Sequence, residues 1–269
     1  MLNFEREGIL KFVTPNFSAE TSALVIESPE VLVGLRELLP FGKIALLISE
    51  SMPKIEMLCK NLKIDLLLGD YSRGGLPKQK KIFDVIIAED CMTTAPEFYA
   101  TLLELNQLLK DSGYLVTKIL NARFVGILEG LKVGKFSATS EKFWTKADAV
   151  KFLGDSMFKE IRFLPGKKLK NESVAKVWEE FGFDNFNDDL ITKTWLVKAC
   201  RCEAEVVALK ELFTEEIRAE LSRLIHRIEY DIDAEENILR LKELCERENI
   251  FEEYLNDFIA HVTTHKIKI

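Results

Sequence analysis

Acids and hydroxyls recur wherever an apolar run of this chain stops. They are Glu27-Ser28, Ser49-Glu50, Asp70-Tyr71 and Glu89-Asp90, with Asn121 closing a fifth run. Carboxylates so placed can accept hydrogen bonds from ligand amines and hydroxyls, or sit against a cation. Tyr71 could stack on a base or simply pack. Asp70 reads equally well as the former of a turn through Ser72–Gly75. Glu89 and Asp90 are adjacent; close together and partly buried, one of them could serve as a general base. Otherwise they form a solvated strand end or a helix cap. Cys91 follows them, but no histidine lies near it in sequence and no activating group is visible, so it reads as a poor nucleophile.

Other chemistry is less well supported. The three histidines, His226, His261 and His265, all lie in the last part of the chain, far from the strand ends, and read as surface or interface residues. His261 and His265 have metal-ligand spacing on a helix. They lack the glutamate that follows the first histidine in zinc proteases, so no metal site is expected. The five cysteines, Cys59, Cys91, Cys200, Cys202 and Cys245, are odd in number and scattered, as free thiols in a reducing cytoplasm would be. Cys200 and Cys202 fit the inward and outward positions of one strand. The 13 glycines contain no Gly-x-Gly pair, which removes the dinucleotide fingerprint and the phosphate loop as sequence signals.

Composition bounds the rest. The chain has 269 residues, 37 basic against 44 acidic, for a net charge of −7. That balance argues against broad binding to a phosphate backbone, so no nucleic-acid partner is expected. No run of about 18 apolar residues exists to span a membrane. The opening residues Met1–Glu7 carry acids where a signal peptide needs a basic flank, so the expected location is cytoplasmic.

The elements that must position the acids can be read from periodicity. Ser22–Ile26, Lys43–Ile48, Ile64–Leu68, Phe83–Ala88 and Gly113–Leu120 are apolar runs of strand length. Between them, Pro29–Leu39, Ser51–Asn61 and Ala95–Leu109 have helical spacing, the first with Ser28 as N-cap and Pro29 at the first helical position. Gly126, Gly130 and Gly134 mark a helix followed by a loop. Lys146–Gly154 and Val174–Phe181 add helices, and Phe158–Leu164 and Thr194–Cys200 add strands. This alternation predicts an α/β fold with a doubly wound, mostly parallel, seven-stranded sheet over residues 1–202. Ligands of such sheets bind beyond the strands' carboxyl ends, near the point where strand order reverses.

A helical extension over residues 203–269 follows. Leu209, Leu212, Phe213, Ile217, Leu221, Leu224, Ile225 and Ile228 form one helical stripe. Asp233-Ala234-Glu235-Glu236 has the pattern of a capping box opening a second helix, and Ile250–Val262 reads as a third. The stripe packs on the sheet domain or pairs with another chain; a homodimer through these helices is the partner it suggests.

The central stretch resembles the class I S-adenosylmethionine-dependent methyltransferases. Lys81–Asp90, with its Phe83-Asp84-Val85-Ile86 core, matches the fourth strand of that family. Leu108–Val116 matches its helix end and fifth strand. The likeness covers roughly Ala23–Cys202 and looks most like bacterial members associated with surface-glycan gene clusters. It implies a methyltransferase-like Rossmann fold, S-adenosylmethionine as cofactor, and a small-molecule or glycan substrate. It also implies cofactor contacts at Glu27, Ser49, Glu50, Asp70, Tyr71, Glu89 and Asp90, with Asp70 facing the adenine amine. Asn121 and Arg123 become candidates for contacts to the methyl acceptor.

The sequence departs from the family at two cofactor contacts. The family's glycine-rich first loop is replaced by Glu27-Ser28-Pro29-Glu30-Val31-Leu32, which puts bulk at Val31 and Leu32 where a cofactor should lie. The family's ribose-clamping acid falls at Leu47, and Glu50 could replace it only with a shifted loop. Two functions stay open: a methyltransferase with an unusual first loop, or an inactive relative (a pseudoenzyme) acting as a binding or assembly module through its C-terminal helices.

Overall fold

Side chains alternate strictly between two apolar clusters along β1 (Ser22–Ile26): Ala23 and Val25 join one, Leu24 and Ile26 the other. That period of two, on a strand buried along its whole length, is what a strand covered on both faces requires. The computed structural model describes residues 8–135, 141–170, 173–201 and 213–263. They fall in two units, Met1–Glu203 and Ala204–Ile269.

In the first unit, a 3-10 turn at Pro29–Val31 leads into α1 (Leu32–Leu38). Then come β2 (Lys43–Ile48), α2 (Pro53–Leu62), β3 (Asp65–Leu68), β4 (Phe83–Ile87), α3 (Phe98–Leu108) and β5 (Leu109–Asn121). The second half holds α4 (Val125–Lys132), β6 (Phe143–Trp144), α5 (Lys146–Asp155), β7 (Glu160–Pro165), α6 (Ser173–Glu180) and β8 (Thr194–Cys200). The sheet order is β3-β2-β1-β4-β5-β8-β7, and the two-residue β6 pairs with β5 off this path. All pairings are parallel except those of β8, which runs antiparallel to both β5 and β7. This is the doubly wound, mostly parallel α/β fold expected, with β6 as an additional short strand.

α1 and α2 bury Leu32, Leu35 and Cys59 against one face, while α3 and α5 bury Leu102, Leu105, Ala149 and Leu153 against the other. Strand order reverses at β1, whose neighbours are β2 and β4. The helices that follow β1 and β4 therefore leave on opposite faces and open a crevice between them.

The second unit comprises α7 (Glu215–Glu229), α8 (Ala234–Glu248) and α9 (Glu252–Val262). Leu221, Leu224, Ile225 and Ile228 pack with Leu241, Leu244 and Tyr254, so the stripe on α7 is satisfied inside the unit. The capping box expected at Asp233 does not form: its backbone is left-handed, its side chain makes no cap bond, and its carboxylate pairs with Arg227 at 2.9 Å. His226 sits half-exposed on α7 with Nδ1 3.1 Å from Glu229. Cys202, Leu209, Leu212, His265 and the side chain of His261 lie outside the described residues. Among the described residues no helix is long and apolar enough to cross a membrane, and no cluster of three or more His, Cys, Asp or Glu could hold a metal.

Candidate functional site

The crevice holds a cavity of about 290 Å³ at the carboxyl ends of β1 to β4. Its floor is Ile26, Ala88 and Cys91; its walls are Glu27, Ser28, Ser49, Asp70, Tyr71, Asp90 and Thr94. Five of the seven candidate residues therefore meet in one place: Glu27, Ser49, Asp70, Tyr71 and Asp90. The other two do not. Glu50 is exposed and outside the lining, because β2 ends at Ile48 and the next inward position falls to Ser49. Glu89 turns to a second cavity.

The loop after β1 differs from the expectation in its most consequential detail. Val31 and Leu32 do not fill the crevice; they are 8% and 0% exposed and belong to the core beneath α1 and α2. The 3-10 turn at Pro29–Val31 points both into the sheet face, where apolar burial outweighs any position over the polar strand ends. Leu47 is likewise core, on the opposite face, so the expected clamp position carries no polar group. Ser28 lies at the N-cap position but makes no side-chain cap; its hydroxyl donates back to the Ile26 carbonyl at 3.2 Å.

Glu27 follows β1 and opens this loop. Its φ of 54° is left-handed, a region that disfavours residues bearing a Cβ. Its N–H donates to Leu47 O at 2.9 Å, and its Oε1 accepts from the Ser49 N–H at 2.6 Å. The β1 and β2 ends are thus tied by one residue.

Asp70 serves the turn that was its alternative reading while also lining the cavity. Its Oδ1 accepts from the Ser72 N–H at 2.9 Å and the Ser72 hydroxyl at 2.7 Å, and Arg73 lies 3.5 Å from Oδ2. The Ser72 hydrogen bonds hold its carboxyl below the usual range, with Arg73 adding a smaller effect. Gly75 closes the turn: its N–H donates to Asp70 O, and a Cβ there would lie 2.5 Å from Asp70 N. Tyr71 is half-buried, its hydroxyl 3.3 Å from that of Thr94, which fixes the ring at the cavity wall.

Glu89 and Asp90 do not form an uncompensated pair of acids. Lys118 reaches between them, 2.9 Å from Glu89 Oε2 and 3.3 Å from Asp90 Oδ1. Burial works against the charged Lys118, but Glu89 and Asp90 outweigh it and raise its pKa. Lys118 and Thr94 were not anticipated as site residues. A lysine inside the apolar run Leu115–Leu120 was the available signal. Cys91 is 1% exposed, and burial pushes its thiol up to about 12, so it is no nucleophile.

The second cavity, of about 990 Å³, shares Asp90 and Thr94 with the first. Glu30, Glu89, Lys118, Lys167, Lys193 and Asn121 supply much of its polar lining. Asn121 is 1% exposed and spends its amide on Asp189 O and Thr192 O, at 2.7 and 2.8 Å. Arg123 pairs with Asp189 at 3.0 Å and lies outside both linings. Arg123 thus braces the Asp189 segment, and the Asn121 amide is committed to the same bracing.

No family model matches the chain, and no curated protein matches it. Among solved structures it is similar to a SAM-dependent methyltransferase from Thermotoga maritima, at 12% identity over 72% of this chain and 86% of that one, TM-score 0.48. It is also similar to a SAM-dependent methyltransferase from Archaeoglobus fulgidus, at 13% identity over 70% and 87%, TM-score 0.48.

Proposed function

We propose that the crevice binds S-adenosylmethionine and that the chain methylates a polar small-molecule or glycan acceptor seated in the adjoining cavity. The observation that carries this reading is the turning of Val31 and Leu32 into the core, which leaves the strand ends open despite the absent glycines. The residues present suit the cofactor's parts. Ile26, Ala88 and the Tyr71 ring offer an apolar surface for an adenine, and the negative field of the acids around the lining favours the cofactor's cationic groups without assigning any one acid to them. When bound, the cofactor supplies an electrophilic methyl group.

The chain's own contribution is placement. Asp90 and Thr94 stand where the two cavities meet, so an acceptor in the larger one faces the smaller one's contents. Asp90 Oδ1 is itself held by the Thr93 hydroxyl at 3.1 Å and by Lys118. The larger cavity carries both acids and lysines, which suits an acceptor rich in hydroxyls or mixed charge.

Calorimetry with S-adenosylmethionine and S-adenosylhomocysteine tests the reading. Saturable micromolar binding is expected. Ligand at ~100 times its dissociation constant stabilises the fold by about 2.7 kcal/mol, visible as a raised melting temperature. No binding at millimolar ligand overturns it and leaves the assembly role of the C-terminal helices as the reading to pursue.

A further inference from the structure

Resting on that reading, we propose that Glu27, at the end of β1, recognises the ribose diol of a nucleoside in the crevice, a task for which the end of β2 places no carboxylate in the cavity lining. A vicinal diol presents two O–H donors, and a carboxylate is the strongest acceptor a side chain can offer them. At β2, Leu47 is buried in the core, the residue lining the cavity is Ser49, and Glu50 is exposed outside the lining. Glu27 reaches across instead. Its left-handed backbone carries the side chain over the β2 end, where the Ser49 N–H fixes Oε1 at 2.6 Å. Oε2 has no partner among the described residues.

The other two acids of the cavity are committed. Asp70 holds its own turn and faces Arg73, and Asp90 faces Lys118. Glu27 has no counter-ion among the described residues. It is held in strained geometry with one oxygen anchored, as expected of a group whose position matters more than its stability. Replacement by glycine removes the strain, so a stable glycine variant with altered binding separates a ligand role from a structural one.

The test is calorimetry on the full chain with adenosine and S-adenosylhomocysteine, each beside its 2′-deoxy and 3′-deoxy forms. The natural chain is expected to prefer each diol by about ten-fold or more. In Glu27→Gln that ratio falls toward about one, with little change in melting temperature. Glu27→Gly is expected to melt no lower than the natural chain and to lose the preference as well. An unchanged ratio in both variants, or no preference in the natural chain while nucleosides still bind, overturns this inference alone. A Glu27→Gln variant that loses discrimination between S-adenosylmethionine and S-adenosylhomocysteine but keeps the diol preference assigns Glu27 to the sulfonium, and also overturns it. Failure of every nucleoside to bind overturns both this inference and the proposed function.

Discussion

The Ser49 N–H donates to Glu27 Oε1 at 2.6 Å, so a side chain joins the ends of β1 and β2. Beyond this tie, Val31 and Leu32 are buried in the core rather than over the strand ends, and the crevice stays open.

Leu32→Ala is therefore expected to act on stability and not on the crevice. Its side chain is fully buried, and truncation should cost about 2–5 kcal/mol. Urea unfolding measures the loss. Ligand affinity, determined well below the melting temperature, should stay within about two-fold of the natural chain. A large affinity change with little destabilisation would place Leu32 in the site.

Gly75→Ala should damage the Asp70 turn. The added methyl meets Asp70 N at 2.5 Å and Asp70 O at 2.6 Å, both backbone atoms that cannot rotate away. A loss of about 1–3 kcal/mol is expected, together with weakened nucleoside binding as Asp70 shifts. The neighbouring Gly74→Ala meets open space at a φ of 77° and should cost only about 1 kcal/mol through backbone strain. Comparing the two variants by thermal melting and calorimetry separates collision from strain.

Lys118→Met leaves Glu89, whose side chain is 17% exposed, without its ammonium partner. After discounting for screening at the part-exposed lysine, a destabilisation of about 1–3 kcal/mol is expected, partly restored by Lys118→Arg. The folded-state pKa of Lys118 is raised. Its contribution is therefore complete below the ordinary lysine pKa of ~10.4 and fades only as pH climbs through the folded value. Stability curves of the natural chain and Lys118→Met should run parallel from neutral pH to about pH 10 and converge above.

Cys91 should resist thiol reagents in the folded protein, since burial pushes its thiol up to about 12. With Ellman's reagent at pH 8, labelling at Cys91 should appear only on unfolding, as mapped by peptide mass. The folded state keeps the proton over a range where the unfolded thiol, near ~8.5, has lost it. This group therefore favours folding below that pH, and its contribution is lost as pH rises toward 12. Cys91→Ala should flatten that alkaline decline.

Much of this fold is legible in local pattern. The strand bounds Ser22–Ile26, Lys43–Ile48 and Thr194–Cys200 follow from short, continuous apolar runs, which only a two-sided burial explains. Placing the acids at strand ends needs no more than those bounds, and Glu27, Ser49, Asp70, Tyr71 and Asp90 do meet there. Two features escape such reading: the two-residue β6, and the closing of β8 against β5 and β7 in antiparallel sense.

By itself, then, the sequence determined the alternation of strands and helices and the set of acids at the carboxyl edge, because both depend on spacings of a few residues. Tertiary structure decided which of those acids line the crevice and which are already paired. Lys118 comes 28 residues beyond Asp90 along the chain, and Asp189 lies 68 beyond Asn121; each fixes a candidate through a neighbouring strand or loop. Glu50 is excluded and Ser49 admitted by where β2 ends, while Val31 and Leu32 leave the crevice because a core exists beneath them to receive them. Those outcomes rest on hydrogen bonds and burial between segments distant in sequence, which no local periodicity encodes.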